Sequence, residues 1–298
     1  MSKPPAPLNS ARSAHAEEVR RKERFEFGKN WRKFLETLSN ERIEDAERSL
    51  TGMLETSLAG KTFLDVGSGS GLFSLAARRL GAQVHSFDYD PESVACTEEL
   101  KRRYFPEDDR WTVEEASALD RDYVVSLGTF DVVYSWGVLH QTGDMWSGLG
   151  NVAEAVAPGG LLFISIYNDQ GGASLRWRWL KRAYIRSPRP IQWALVVAVG
   201  AYFETVGVLA RLARLENPLG GDRASGGSKK ARGMTVWYDL VDWVGGYPFE
   251  VARPEAIFDF YRARNFSLMR LKTVGSGHGC NEYVFRRGEG GTGERAAD

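Results

Sequence analysis

The chain has 298 residues, 43% hydrophobic and 26% charged, enough for one large α/β domain or one domain with a sizeable insertion. Lys plus Arg and Asp plus Glu both number 39, so the overall balance carries no nucleic-acid signature. Cys96 and Cys280 stand in no metal-ligand spacing and no signal-peptide pattern opens the chain, so the expectation is a reducing, cytoplasmic setting without a metal site.

Residues 1–24 are polar, with Pro4, Pro5 and Pro7 ahead of mixed charge, which predicts a disordered arm leading into a helix. Phe25, Phe27, Trp31, Phe34 and Leu35 then crowd a short stretch, and Ile43, Ala46, Leu50 and Leu54 keep helical spacing. Residues 25–58 are read as a helical layer packed on a sheet domain, or as a lid over its ligand. Phe63 to Val66 is an apolar run that meets Gly67-Ser68-Gly69-Ser70-Gly71, and a helix-like stretch follows. Glycine lacks Cβ, so such a turn permits positive φ and close approach of backbone to a ligand. The helix N-terminus beyond it offers N–H groups to a polar or anionic group.

A second strand, residues 83–88, ends at Asp88-Tyr89-Asp90-Pro91, where Asp90 suits an N-cap and Pro91 the first helical turn. Residues 111–114 and 130–135 read as strands three and four. A helix over 145–156 stops at Pro158-Gly159-Gly160, and 161–167 is a fully apolar buried strand. A helix over 254–264 and strands over 266–274 and 280–287 close the pattern. Regular strand–helix alternation predicts a doubly wound, mostly parallel sheet of seven strands, with an insertion before the last helix and two strands. The parts are an arm (1–24), a lid (25–58), a core (59–167), an insertion (168–250), the end of the core sheet (251–287) and a disordered tail (288–298).

Asp65-x-Gly67-x-Gly69-x-Gly71 at the end of a first strand resembles motif I of the class I S-adenosylmethionine (SAM) methyltransferases. The spacing is not the G-x-G-x-x-G of a dinucleotide site, which argues against an NAD-dependent oxidoreductase. The resemblance covers about 61–167 and 254–287 and is closest to small-molecule enzymes similar to the ubiquinone-biosynthesis O-methyltransferases. It implies a Rossmann-like class I fold whose final strand is antiparallel, and SAM as cofactor. Asp65, Gly67, Ser68, Gly69 and Gly71 would shape the methionine end. Asp88, 21 residues after Gly67, would accept the ribose hydroxyls, with Tyr89 flanking the adenine. Ser117 and Ala118 would meet the adenine edge, although many members carry Asp where Ser117 stands. Ser135 and Trp136 would border the sulfonium. Trp31 of the lid could lie near that cation, worth roughly 0.5–2 kcal/mol on an aromatic face.

Residues 168–250 exceed an ordinary crossover. They contain the basic-aromatic run Arg176-Trp177-Arg178-Trp179-Leu180-Lys181-Arg182 and a strongly apolar stretch, 191–215, broken by Glu204. That stretch is read as a substrate-covering helix, an interfacial helix making peripheral membrane contact, or a membrane span. RNA contact by the basic run, as in a tRNA methyltransferase, is the weaker alternative, because charge is balanced and no stacking module is present. Trp237, Tyr238, Asp242, Trp243, Tyr247 and Phe249 either line a pocket for a ring-shaped acceptor or form an aromatic mini-core.

Methyl transfer from a sulfonium is an in-line displacement, so alignment dominates and a base helps when the acceptor is a hydroxyl or acidic carbon. His140 follows strand four at the carboxyl edge and is the first candidate base, against a structural role closing the loop. His278, between glycines, is the second; His15 lies in the arm and His85 in strand two. The expected function is methylation of a hydroxyl or activated carbon on a small aromatic, quinone-like, sugar or lipid-linked acceptor. The alternative is a non-catalytic SAM-binding scaffold.

Overall fold

A computed structural model describes residues 8–213, 236–275, 277 and 279–289. His278, the loop over 217–230, Arg232 to Met234, Arg214, Leu215 and the tail from 290 onward lie outside the described residues, as do the side chains of Trp237 and Tyr238.

The chain runs through α1 (Leu8–Arg20), α2 (Gly28–Glu36) and α3 (Asn40–Leu54) before the first strand. Then β1 (Thr62–Val66), α4 (Leu72–Arg79), β2 (Gln83–Asp88), α5 (Pro91–Tyr104), β3 (Trp111–Glu115), α6 (Arg121–Ser126) and β4 (Phe130–Trp136) alternate. A 3-10 turn (Leu139–Gln141), α7 (Met145–Glu154) and β5 (Val156–Tyr167) follow. The insertion consists of α8 (Gly172–Arg186), α9 (Arg189–Ala213) and α10 (Val236–Gly245), and α11 (Pro254–Arg262), β6 (Phe266–Lys272) and β7 (Cys280–Arg287) complete the sheet.

Among the described residues the sheet has seven strands in the order β3-β2-β1-β4-β5-β7-β6. The first five are parallel, and β7 lies antiparallel between β5 and β6. The order reverses between β1 and β4, so the loops after these strands diverge and leave a crevice at their carboxyl ends. The alternation of strand side chains between two covered faces explains why the central strands read as mainly apolar runs. Phe63, Val132, Tyr134 and Phe163 pack on one face, with α2 to α5. Leu64, Val133, Leu162 and Ile164 pack on the other, with α7 and α11. Both faces are covered, so 63–66, 132–135 and 161–167 are buried throughout.

Asp90 accepts from Glu92 N with Pro91 at the start of α5, and Ser39, Asp120 and Asp144 cap α3, α6 and α7 in the same way. Two sequence expectations are corrected. Residues 8–20 form a docked helix rather than part of a disordered arm, with His15 only 6% exposed. Pro158-Gly159-Gly160 does not end α7; it lies within β5, which pairs with β4 from Val156 onward across a register shift between Phe130 and Val132. An added Cβ at Gly160 would lie within 2.8 Å of a backbone oxygen, so the glycine serves close strand approach there.

A buried polar relay joins the first strands. Trp111 Nε1 donates to Ser86 Oγ (3.0 Å), Ser86 to Ser74 Oγ (2.8 Å), and Ser74 to Asp65 Oδ2 (2.5 Å). The Ser74 backbone N–H also binds the Asp65 carboxylate, which therefore caps α4 from inside. Burial pushes the Asp65 carboxyl up to about 7, although Ser74 opposes the shift. Ser74→Ala leaves that carboxylate without its hydroxyl donor and should cost about 1–3 kcal/mol of unfolding free energy in urea titrations. Because the folded pKa lies above the ordinary value of 3.8, this group stabilises the fold most below that value and loses its contribution as pH rises through about 7. Asp65→Asn should therefore flatten the fall in stability over that window.

Candidate cofactor and acceptor site

The glycine turn begins where β1 ends. Gly67, Gly69 and Gly71 have φ values of 79°, 56° and 79°, in the left-handed region that other residues adopt at a cost. A Cβ at Gly67 would come within 2.4 Å of Val138, and one at Gly71 within 2.8 Å of the Thr97 backbone. The turn is thus glycine for conformation and for space. Its amides are largely engaged inside the chain. Gly67 N and Ser68 N donate to Phe87 O, Gly71 N to Ser68 O, and Gly69 N to Asp88 Oδ2 at 2.8 Å.

Asp88 closes this arrangement from β2. Its second oxygen accepts from Asp90 N at 2.9 Å, and burial pushes its carboxyl up to about 7 against the pull of these backbone donors. It remains partly exposed, at the carboxyl end of the strand beside the turn. Each oxygen retains a lone pair for a further donor. A left-handed glycine cradle beside a half-buried carboxylate at the end of β2 fits the ribose-and-chain portion of SAM.

The segment from α1 into α2 runs across this site. Arg24 donates to the carbonyls of Gln141 and Thr142, and Phe25 N donates to Tyr247 O. Gly28 N donates to Asp90 Oδ2 at 2.8 Å, and Trp31 ring atoms lie 3.3 Å from where a Cβ on Gly69 would stand. Tyr89 lies beneath the same segment. Its hydroxyl donates to Glu18, the Arg24 guanidinium stands 5.0 Å from its ring centroid, and the His15 ring meets it edge-on at 5.3 Å. The segment packed across the turn therefore reaches back into α1, and Trp31 lies against Gly69.

Other expected cofactor residues take different places. Asp65 is 2% exposed and supports the turn from behind, so it does not wall the ligand space. Ser135 is fully buried and donates to Val66 O at 2.9 Å, tying β4 to β1 instead of facing the sulfonium. Trp136 is partly buried against the α2–α5 core layer. Ser117 Oγ accepts from Leu119 N, while Ala118 is largely buried and its carbonyl accepts from Asn151. Both stand just past β3, one strand from Asp88.

His140 lies in the 3-10 turn after β4 with its ring fully buried, 4.0 Å centroid to centroid from Tyr167 at the end of β5. Tyr167 packs in turn on Trp243 (5.5 Å) and Phe249 (5.1 Å). A basic side chain that its sequence neighbours do not single out lies inside this aromatic cluster. Lys181 of α8 is fully buried, donates to Trp243 O, and places Nζ 4.7 Å from the Trp243 ring, 5.0 Å from Phe249 and 5.9 Å from Tyr167. Burial pulls its amine down to about 7, against the attraction of Asp242, itself 5% exposed. Lys181 belongs to the basic-aromatic run 176–182, and only its spacing from Ser174, Tyr184 and Ile185, the buried face of α8, marks it out. Among the described residues no cluster of three or more metal-ligating side chains is found.

A family model described as a methyltransferase domain matches residues 37–196, more than half of the chain. The chain belongs to this family, and its sheet is that of the class I SAM-dependent methyltransferases. Among sequence relatives, the ubiquinone biosynthesis O-methyltransferase of Bradyrhizobium sp. is 31% identical over 135 residues, 42% of this chain and 50% of that one. The ubiquinone biosynthesis O-methyltransferase of Xanthomonas campestris pv. campestris is 35% identical over 113 residues, 37% of this chain and 45% of that one. The chain thus spans about half the length of the curated relatives it matches. A solved structure from Listeria monocytogenes, described as an S-adenosylmethionine dependent methyltransferase, has the same fold at 12% identity. It superposes with a TM-score of 0.50, over 83% of this chain and 99% of that one.

Hydrogen bonds from ribose hydroxyls favour the ionised form of Asp88, so binding of S-adenosylhomocysteine should tighten as pH rises through about 7, the value to which burial raises this carboxyl. Asp88→Ala removes a charge-assisted acceptor and should weaken binding at least about tenfold and abolish that pH dependence in calorimetric titrations. Unchanged affinity would remove the ribose assignment.

Proposed function

We propose that the protein is a SAM-dependent methyltransferase acting on a hydroxyl or activated carbon of an apolar, ring-bearing small molecule. The observation that carries the reading is the pairing of two features on one sheet edge. The glycine cradle with Asp88 ends β1 and β2, and the Tyr167–Trp243–Phe249 cluster with His140 and Lys181 lies past β4 and β5. Aromatic walls with few polar groups suit a flat apolar acceptor. The ubiquinone biosynthesis O-methyltransferases among its sequence relatives support an oxygen as the methylated atom.

SAM, when bound, supplies an already activated methyl group. The chain's part is to align, to exclude water and to take a proton. Asp88 and the glycine turn hold the ribose and methionine portions, and Trp31 and Tyr89 shield them. His140 is the proposed base. Lys181 is the second group able to take a proton from an acceptor hydroxyl near neutral pH, because burial holds its amine at about 7. Glu250 fixes the loop that carries His140. Its backbone N–H donates to His140 O, and its carboxylate accepts from Gly143 N and Met145 N.

His140→Ala should lower turnover about 100-fold or more, the scale of a lost general base, with S-adenosylhomocysteine affinity unchanged. Wild-type rates would end that role. Lys181→Met keeps the chain length and removes the amine. If Lys181 takes the proton, the variant should lose the rise in rate through neutral pH. The function itself is tested by equilibrium binding and then by transfer of labelled methyl from SAM to a panel of phenols, catechols and quinols. Binding of S-adenosylhomocysteine with ring-hydroxyl methylation is the expected result. Binding without turnover across the panel would favour a non-catalytic SAM-binding protein. Tight NAD(H) binding with no S-adenosylhomocysteine binding would overturn the assignment.

A further inference from the structure

The insertion carries an apolar surface that the transferase reading does not use. α9 is long and apolar enough, by length and composition, to cross a bilayer, yet most of its apolar side chains face outward. Trp193 is 63% and Leu209 59% exposed, and Ile191, Val197, Tyr202, Val206 and Leu212 are exposed with them. On α8, Leu175 is 64% and Trp179 74% exposed. Isolated apolar residues on a surface need no explanation, but a run along two successive helices does.

Charge indicates what covers it. Between residues 172 and 213 the basic side chains are Arg176, Arg178, Lys181, Arg182, Arg186, Arg189 and Arg211, and the acidic one is Glu204. The whole chain is balanced at 39 and 39, so positive charge is concentrated here. Arg176, Arg178, Arg182, Arg186 and Arg189 are all exposed. Exposed tryptophans among arginines, beside a long apolar helix, are the composition of a segment lying in the headgroup region of an anionic membrane.

The packing argues against a span. Val196 and Val199 of α9 are buried with Tyr184 and Ile185 of α8 and Val244 of α10 in a separate mini-core. Crossing the bilayer would strip this side of its partners and carry Glu204 into hydrocarbon. Lying in the interface preserves the mini-core and immerses only the outer face in lipid.

We infer that the outward faces of α8 and α9 dock the protein in plane on an anionic lipid bilayer. This goes beyond the transferase reading and does not depend on which atom is methylated. It also links the surface to the site, because α8 turns Trp179 and Arg182 outward while Lys181 points into the aromatic cluster. A membrane-dissolved acceptor would then reach the site without crossing bulk water.

The test is co-sedimentation of the full chain with vesicles of phosphatidylcholine alone or with about one third phosphatidylglycerol, at low and high salt. Expected is binding to the anionic vesicles, weakened by salt, with a blue shift of tryptophan fluorescence. Trp179→Ser with Trp193→Ser, and separately Arg176→Glu with Arg182→Glu and Arg186→Glu, should each lower partitioning at least about tenfold. Binding of S-adenosylhomocysteine, measured on the same samples, should be unchanged; it reports folding and keeps failure of docking distinct from failure of the transferase reading. Three results would each overturn the inference. These are no vesicle binding by a protein that binds S-adenosylhomocysteine, a dimer in light scattering that the tryptophan variants dissociate, or membrane retention that resists alkaline carbonate, as a spanning helix would show.

Discussion

Two adjacent carboxylates at the end of β2 hold the functional edge together. Asp88 joins the glycine turn, through Gly69 N, to the start of α5, through Asp90 N. Asp90 caps α5 and accepts from Gly28 N of the covering segment. A short series of backbone-to-carboxylate bonds thus couples glycine turn, adjoining helix and covering segment. Such groups are costly to bury ionised, which is why the Asp88 carboxyl is raised while backbone donors pull it back. A carboxylate poised between these pressures gains from further donors, and ribose hydroxyls are such donors.

The second organising element is α8, a helix with two occupations. Its inner face closes the aromatic cluster over the end of β5 through Lys181, and its outer face carries arginines and Trp179. A helix of this kind cannot be placed by periodicity alone, since one face is apolar around a single amine and the other is basic around an indole. The covering segment at the N-terminus is similar. Trp31, Tyr89 and His15 acquire their surroundings from elements far apart in the chain.

Much of the sheet was legible because both of its faces are covered. Strands with helices on each side are apolar over most of their length, so 63–66, 130–135 and 161–167 stand out as mainly apolar runs, and Asp90-Pro91 marks a helix start by local chemistry. The same local logic misplaced Pro158-Gly159-Gly160, which falls inside β5 at its register shift against β4, with Gly159 at positive φ. It failed again over 8–20, where a polar, charged stretch becomes a helix because Tyr89 and Asp90 give it a surface to dock on.

Within the candidate site, the sequence by itself determined the glycine turn and the place of Asp88 at the end of β2, because glycine conformation and strand-end spacing are local properties of the chain. Only the tertiary structure decided which of the named residues face outward from that turn. Asp65 and Ser135 turn inward, since their side chains satisfy a helix end and a neighbouring strand. Only the tertiary structure could place Lys181 among three rings contributed by β5, α10 and the loop after it. Burial, and with it the properties of an amine, is set by everything packed around a residue and not by its neighbours in sequence.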